Sequence, residues 1–371
     1  MLDSIEPMRP TTAPDFLLSR AHGSVRTQGS VQSYTDPWEA VAALKAGEHD
    51  MVVGALPFLR GAPAALTVPE KIIREDGPLE PHAYYRVGPG SELSAQVAGF
   101  DPSPGEHEER VAAAVGTLSH TPMEKVVLAR AVDIDFDSPV DPRLVAARLI
   151  DNSSHCDGFI ADLSPVGRGL LVGSSPEVLI KLQGSTVTAY PLAGSAPRND
   201  DPVRDHLAGA DLQASAKDLA EHRFVVEHLL RALEPVCSSL SAPSVPELTK
   251  TDEMWHLATP IVGTLSKEMN ALELALLVHP TPAICGTPVD AAEALIEAVE
   301  TPRGFYAGAV GWCDRSGDGE YMVAIRCAEV APDGLTARAW AGGGIVASSD
   351  PAAELAETDA KLRTILRALG L

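Results

Sequence analysis

Residues 170–190 read LLVGSSPEVLIKLQGSTVTAY, and this stretch decides the fold class. Three short apolar runs, 170–173, 178–182 and 186–190, are separated by turns rich in glycine and serine. Short runs of β-branched and other apolar residues joined by such turns are typical of neighbouring antiparallel strands. The stretch therefore predicts a group of antiparallel strands.

Around this stretch, strand and helix patterns are mixed without regular β–α–β alternation. This mixture favours an α+β fold with mostly antiparallel sheets. Residues 52–59 predict a strand followed by a turn, and the other predicted strands are 125–135, 308–312, 321–327 and 336–341. The predicted helices are 106–119, 142–150, 216–233, 290–299 (with Asp290 and Glu293 as a capping pair) and 351–369.

The composition limits the classes of function. The 371 residues carry a net charge of -22, so a broad nucleic-acid surface, which needs clustered Lys and Arg, is not expected. No stretch approaches the length of a membrane span, and we expect a cytoplasmic protein. The five cysteines are widely spaced, which argues against zinc ligation and a disulfide framework. An anionic substrate would require a few cations or a metal to reverse the local field.

Two helices each carry acids three residues apart, namely Asp218 with Glu221, and Glu354 with Glu357. This spacing places both acids on one helix face. Two such faces opposed would make an oxygen cage suited to Mg²⁺. Acids at this spacing also commonly form a solvated helix face, so the spacing leaves both interpretations open.

Glu177 and Lys125 are candidate proton carriers. Glu177 occupies a turn directly before an apolar strand, where burial would raise the pKa of its carboxyl group and make it a general acid. Lys125 opens an apolar strand, where burial would favour loss of its proton and action as a base. A solvated turn carboxylate and a strand-end lysine that reaches water are the alternatives.

Arg326 lies in the apolar run 323–327, where a guanidinium needs an anionic partner, either a ligand carboxylate or an internal acid. The glycine run 342–344 follows a predicted strand and is either an anion-binding loop or a plain turn. His256, taken alone, has the pattern of a core histidine.

Taken together and in this order, these segments resemble the chorismate-binding enzyme family, which includes anthranilate, aminodeoxychorismate, isochorismate and salicylate synthases. The resemblance covers roughly residues 106–371. It is carried by KVVLAR (125–130), GSSPEVL (173–179), YPLAGSAPR (190–198), KDLAEH (217–222), WHLATPIVGTL (255–265), HPTPAICG (279–286), RGFYAGAVGW (303–312), IRCA (325–328), AGGGIV (341–346) and ELAETDAKL (354–362).

The resemblance implies one α+β unit of two layered, mostly antiparallel sheets flanked by helices. Residues 1–105 would be an N-terminal portion packing into the same unit as the catalytic region 106–371. It also implies Mg²⁺ held by Glu221 and Glu357. Asp218 and Glu354 would assist by contacting the metal's ligands rather than the metal itself. Family members commonly carry Glu where this chain has Asp218, which leaves the role of that residue open. The substrate contacts implied are Gly194, His256, Ala283, Ile284, Tyr306, Arg326, Gly343 and Lys361.

The activity implied is that of an isochorismate synthase. Lys125 would activate water for addition at C2 of chorismate, and Glu177 would protonate the C4 hydroxyl as it departs. Family members that use ammonia carry Gln where Lys125 stands, and aminodeoxychorismate synthases typically carry a nucleophilic Lys where this chain has Ala193. We therefore expect neither an ammonia-using reaction nor a glutaminase partner, and monomers are common among the small members.

The remaining alternatives are a salicylate synthase, which also eliminates pyruvate, and a non-catalytic chorismate-binding protein. Salicylate synthases of the family usually combine a Thr-type residue in the block Pro282-Ala283-Ile284 with Tyr at the position of Tyr306, whereas one group of isochorismate synthases carries Leu and Phe. At these two positions this chain combines an apolar residue, as in the isochorismate synthases, with Tyr, as in the salicylate synthases. The apolar Ile284 favours isochorismate as the main product, for menaquinone or siderophore synthesis, and Tyr306 favours a salicylate side activity.

Overall fold

The computed structural model describes residues 10–88 and 91–371, and both β-strands and α-helices run through this part of the chain. The strands in chain order are β1 (Phe16–Arg20), β2 (Gly23–Gln28), β3 (Gln32–Tyr34), β4 (Met51–Leu56), β5 (Ala65–Val68), β6 (Lys71–Glu75), β7 (Ala95–Asp101), β8 (Lys125–Phe136), β9 (Gly158–Asp162), β10 (Leu170–Gly173), β11 (Val178–Gln183), β12 (Thr186–Tyr190), β13 (Leu192–Pro197), β14 (Cys237–Ser241), β15 (Glu247–Lys250), β16 (Met254–Ala258), β17 (Ile261–Leu265), β18 (Gly286–Thr287), β19 (Ala309–Asp314), β20 (Gly319–Val323), β21 (Cys327–Val330) and β22 (Thr336–Ile345).

The helices cover the outer faces and ends of the sheets. They are α1 (Pro37–Lys45), α2 (Ala83–Arg86), α3 (Pro104–His120), α4 (Pro142–Asn152), α5 (Pro202–Ala214), α6 (Ala216–Leu233), α7 (Ala271–Val278), α8 (Val289–Val299) and α9 (Pro351–Ala368). Helix α9 packs against β22, and α4 packs against β9 and β10. Helix α6 packs against β13 and against α7. None of the described helices has the length and apolar character needed to cross a membrane.

Two large sheets form the body of the molecule, and every strand pair in them is antiparallel. The first sheet has the order β18-β8-β22-β21-β10-β9-β1-β2-β6, and β7 also pairs with β8. The second has the order β14-β17-β12-β11-β20-β19-β4-β5-β3, and a small third sheet has the order β13-β16-β15. The predicted α+β class with antiparallel sheets is confirmed. Strands from residues 10–88 extend both large sheets.

The main core contains apolar side chains from both large sheets. Leu128 and Phe159 of the first sheet belong to the same buried cluster as Ile180 and Met322 of the second. A second cluster packs the opposite face of the first sheet against α4 and α9, and includes Val145. Truncating a fully buried phenylalanine such as Phe159 to Ala would destabilise the fold by about 3–5 kcal/mol.

The structure corrects three local predictions from the sequence. The predicted strand 321–327 is two strands, β20 and β21, which lie in different sheets. The glycines 342–344 are not in a loop, because β22 continues through them to Ile345. The predicted capping pair of α8 is absent: Pro288 is its N-cap without a side-chain hydrogen bond, and Asp290 and Glu293 bind Arg60 instead.

Candidate active site

Two of the points at which the chain crosses between the large sheets are adjacent, and each of these two crossings carries one candidate residue. Glu177 ends the passage from β10 to β11, and Arg326 lies in the passage from β20 to β21. The crossings are hydrogen-bonded to each other, since Ser174 N donates to Arg326 O at 3.2 Å and Val323 N donates to Glu177 O at 3.1 Å. Arg326 has a φ of 52°, a left-handed conformation that breaks the predicted strand. Leaving one sheet for the other thus places an acid and a cation on adjacent crossings, and both residues line the same cavity.

A cavity of about 70 Å³ lies next to these crossings. Among its lining residues are seven of the predicted site residues, namely Glu177, His256, Ala283, Ile284, Tyr306, Arg326 and Lys361. A wider chamber of about 250 Å³ adjoins it and shares Pro176, Leu192, His256 and Arg326 as walls. Residues as far apart in the chain as Val127 and Lys361 therefore meet around one space.

Glu177 is a buried carboxyl group, 3% exposed. Burial raises the pKa of Glu177 to about 8, and this effect outweighs the opposing backbone hydrogen bond and the charges of Lys125 and Lys361. The alternative of a solvated turn carboxylate does not fit this burial. A carboxyl group that keeps its proton at neutral pH has the property required of a general acid.

Arg326 is buried and faces the same cavity. No carboxylate of the described residues lies within ion-pair distance of its guanidinium, which hydrogen-bonds to His256 Nε2 at 3.2 Å. Burial lowers the pKa of Arg326, and the charges of Glu253 and Glu357, which act without direct contact, do not reverse this direction. Of the two partners expected from the sequence, the geometry therefore favours an anionic ligand over an internal acid.

The four acids of α6 and α9 lie among three lysines, outside the lining of the 70 Å³ cavity. Glu221 Oε1 is 2.8 Å from Lys125 Nζ, Glu354 Oε1 is 2.9 Å from Lys217 Nζ, and Glu357 Oε1 is 2.6 Å from Lys361 Nζ. Lys125 is fully buried, so the alternative of a strand-end lysine reaching water is wrong. Lys361 connects the two regions because it also lines the cavity.

The carboxyl groups of this cluster affect one another electrostatically. Burial and the nearby Glu221 and Glu357 raise the pKa of Asp218, and burial and Glu357 raise that of Glu354. Burial alone would raise the pKa of Glu221 too, but the charges of Lys125, Lys361 and Lys217 reverse the direction and lower it. The two helix faces are therefore close enough to form one acidic cluster.

The glycines of β22 leave room for this cluster. A Cβ on Gly344 would lie 2.2 Å from Glu221 Oε1, and one on Gly343 would lie 3.2 Å from Glu354 Oε2. Gly343 therefore borders the acids rather than the cavity. Gly194, at φ 79°, packs on α6 in the same way, since its Cβ would lie 3.0 Å from the Cβ of Asp218.

The residues present fit Mg²⁺ chemically. Glu354 Oε2 is buried without a hydrogen-bond partner, and the cluster offers carboxylate oxygens, the ligands that Mg²⁺ prefers. Within residues 10–88 and 91–371, no group of three or more His, Cys, Asp or Glu side chains is arranged as a ready metal site. Mg²⁺ commonly takes only one or two protein carboxylates and completes its shell with water and substrate oxygens.

Tyr306 and Ile284 lie in an aromatic and aliphatic part of the cavity wall. Tyr306 stacks on Trp340 at a centroid distance of 5.7 Å and an interplanar angle of 9°. Ile284 is 3% exposed and also faces the cavity. Burial raises the pKa of the Tyr306 hydroxyl, so it stays protonated.

Several residues of the site were not predicted from the sequence, and three of them have polar or aromatic side chains. Ser195 and Trp340 line the cavity, and Lys217 neutralises Glu354. Ser195 directly follows Gly194 and Lys217 directly precedes Asp218, so their positions beside predicted residues were the available signals. The stack of Trp340 on Tyr306 depends on long-range packing and left no local pattern.

Comparison with known proteins assigns the chain to a family. A family model described as chorismate binding enzyme matches residues 89–370. Isochorismate synthase DhbC of Bacillus subtilis is 42% identical over 328 residues, which cover 86% of this chain and 81% of that protein. MenF of Mycobacterium tuberculosis is 43% identical over 369 residues, 96% of each chain. The crystal structure of DhbC from Bacillus anthracis superposes with a TM-score of 0.88 at 34% identity, covering 98% of this chain and 97% of that one. The chain therefore belongs to the chorismate-binding enzyme family.

Proposed function

We propose that the protein is a magnesium-dependent isochorismate synthase, which converts chorismate into isochorismate. One observation carries this proposal: Glu177, with its pKa raised to about 8, shares a cavity with Arg326, for which the described residues offer no carboxylate. A protonated acid and an unpaired cation on the same cavity suit a substrate that bears a carboxylate and loses a hydroxyl group. Two of the family relatives support the choice by name: DhbC of Bacillus subtilis and EntC of Escherichia coli are both called isochorismate synthases.

The reaction is an isomerisation in which one water adds and one leaves. A water oxygen forms a bond to C2 of the ring while Lys125, acting as the neutral amine, accepts a proton from that water. The double bonds shift, the bond from C4 to its hydroxyl breaks, and Glu177 gives its proton to the departing oxygen. Each proton transfer contributes on the order of 10²–10⁴ in rate when the donor or acceptor is well placed.

The substrate is a dianion entering a protein of net charge -22, so local cations must attract it. Arg326 would bind the enolpyruvyl carboxylate, and Lys361, whose Nζ donates to Gly342 O at 2.9 Å, lines the same cavity. Glu221 and Glu357, assisted by Asp218 and Glu354, would hold Mg²⁺, which supplies positive charge for the ring carboxylate.

Lys125 also separates this proposal from an ammonia-using reaction. Ammonia is already a nucleophile, and family members that use it carry Gln at this position. Lys125 at this position, buried in the site, is consistent with a water-using reaction that needs no glutaminase subunit.

Salicylate synthase is the second candidate, and Tyr306 is the observation that favours it. Its hydroxyl lies close to β22, since a Cβ on Gly342 would be 3.0 Å from it. Ile284 on the same cavity argues in the other direction, because an apolar wall offers no hydrogen bond to steer the enolpyruvyl group towards elimination.

Chromatography of the products formed from chorismate near neutral pH distinguishes the two, with pyruvate measured by a coupled dehydrogenase. We expect isochorismate in reversible balance with chorismate and little pyruvate. Salicylate and pyruvate in equal amounts, with only transient isochorismate, would overturn the proposal in favour of salicylate synthase. Binding of chorismate without any turnover would instead indicate a non-catalytic binding protein.

A further inference from the structure

His256 joins Arg326 to Ser195 through a short chain of hydrogen bonds. The imidazole is buried, its Nε2 lies 3.2 Å from Arg326 Nη2, and its Nδ1 lies 2.8 Å from Ser195 Oγ. The pairing of β13 with β16 places Ser195 directly opposite His256 and so fixes this geometry. Both ring nitrogens are therefore engaged by protein atoms, which leaves neither for a ligand.

The chemistry of Arg326 sets the direction of the chain. A guanidinium only donates hydrogen bonds, so His256 Nε2 must accept. A neutral imidazole that accepts at Nε2 carries its proton on Nδ1, and this proton is then donated to Ser195 Oγ. Burial and the charges of Arg326 and Lys361 lower the pKa of His256 well below its usual 6.5, which agrees with a neutral ring.

This direction leaves the proton of the Ser195 hydroxyl unused. Its oxygen already accepts from His256, and the protonated Nδ1 cannot accept in return. Ser195 Oγ has no second hydrogen-bond partner in the described part of the chain, and Ser195 lines the cavity with Arg326. Its O–H is therefore free to donate into the space where Arg326 also donates.

We propose that Ser195 binds the substrate by donating its hydroxyl hydrogen bond to an anionic oxygen, and that His256 is a positioning residue acting through Ser195 and Arg326. This inference rests on the proposed function, because the dianionic substrate supplies the oxygen. Because His256 holds both Ser195 and Arg326, their hydrogen-bond donors are pre-organised for the substrate, and less entropy is lost when the substrate is oriented. Hydrogen bonds from neutral donors to charged oxygens are among the stronger ones.

Steady-state kinetics with chorismate tests the role of Ser195. Loss of one hydrogen bond to a charged group should lower kcat/KM of Ser195→Ala about 10- to 100-fold, mainly by raising KM. Ser195→Thr keeps the hydroxyl and should stay within a few-fold of the wild-type value. Ser241→Ala, on the exposed strand β14, is the matched control and should behave as wild type. Wild-type kinetics for Ser195→Ala would overturn the inference.

A double-mutant cycle tests whether His256 acts through Ser195. In His256→Gln the amide oxygen can accept from Arg326, but the side chain does not reach both partners. The double variant with Ser195→Ala should be no worse than the more impaired single variant, because both changes break the same chain. Fully additive losses would show that His256 acts independently and would contradict the positioning role.

Nitrogen-15 NMR of the full chain with labelled histidine, without substrate, tests the tautomer directly. The His256 signals, identified by their loss in His256→Gln, should show a protonated Nδ1 and an unprotonated Nε2. A proton on Nε2 would overturn the inference whether or not the enzyme turns over chorismate. If the wild type formed no isochorismate while the Nδ1–H tautomer was found, the proposed function would fail and the direction of the hydrogen-bond chain would stand.

Discussion

Replacing Glu177 by Gln should change how the stability of the protein depends on pH. The native carboxyl group holds its proton up to a pKa of about 8, whereas in the unfolded chain it ionises at the ordinary value of 4.5. Between these values unfolding releases a proton, so a rise in pH favours the unfolded state. Glu177 therefore makes the wild-type protein less stable as the pH rises from about 4.5 to 8. Gln is neutral at every pH and lacks this contribution.

The size of the effect follows from the two pKa values. A tenfold change in the proton equilibrium is about 1.4 kcal/mol, so Glu177 lowers the free energy of unfolding by about 1.4 kcal/mol per pH unit in this window. Between about pH 5.5 and about pH 7.5, the free energy of unfolding of Glu177→Gln should rise by about 2.7 kcal/mol relative to that of the wild type. Over the whole range from about pH 4.5 to about pH 8, Glu177 lowers the free energy of unfolding of the wild type by roughly 5 kcal/mol.

Urea unfolding of both proteins at about pH 5.5, 6.5 and 7.5 measures this difference. The contributions of other titrating groups cancel when the wild-type free energy of unfolding is subtracted from that of the variant. Asp205→Asn is the matched control. Its hydrogen bond with Arg198 outweighs burial and lowers the pKa of Asp205, so Asp205 is ionised in both states throughout this window and its difference from wild type should stay constant. A constant difference for Glu177→Gln too would show that Glu177 is ionised in the native protein, and the general-acid assignment would then be refuted.

Three further outcomes are expected. Lys125→Ala should lower turnover at least 100-fold while chorismate binding, measured by calorimetry, persists; near wild-type turnover would show that another group is the base. Glu221→Gln and Glu357→Gln should each weaken Mg²⁺ binding in a titration while circular dichroism shows an intact fold, and activity lost in excess chelator should return with Mg²⁺; full activity in chelator would exclude the metal. Gly344→Ala should abolish activity, because its Cβ would lie 2.2 Å from Glu221 Oε1, and a variant with normal kinetics would contradict the packing described for the acids.

Local sequence patterns predicted the long helices and several strands, but not α1, α2, α5, α7 or many of the short strands. The helix predicted at 216–233 is confirmed residue by residue as α6, and the strand 125–135 is confirmed within one residue as β8. Such segments follow from local periodicity, since one apolar face must be buried. The strand predicted at 321–327 failed because an apolar run looks the same whether it stays in one sheet or crosses to another. Only the partners of β20 and β21 show the crossing at Arg326.

The sequence by itself determined the residue types of the site and the family resemblance, because the motifs and their order can be read directly along the chain. It also favoured the α+β class, since strand and helix periodicities are local. Tertiary structure decided which residues meet and what each can do. The burial that raises the pKa of Glu177, the absence of a described carboxylate beside Arg326 and the two engaged nitrogens of His256 all depend on contacts between distant segments. Dielectric environment and hydrogen-bond direction belong to the packed site as a whole, and no single stretch of the chain encodes them.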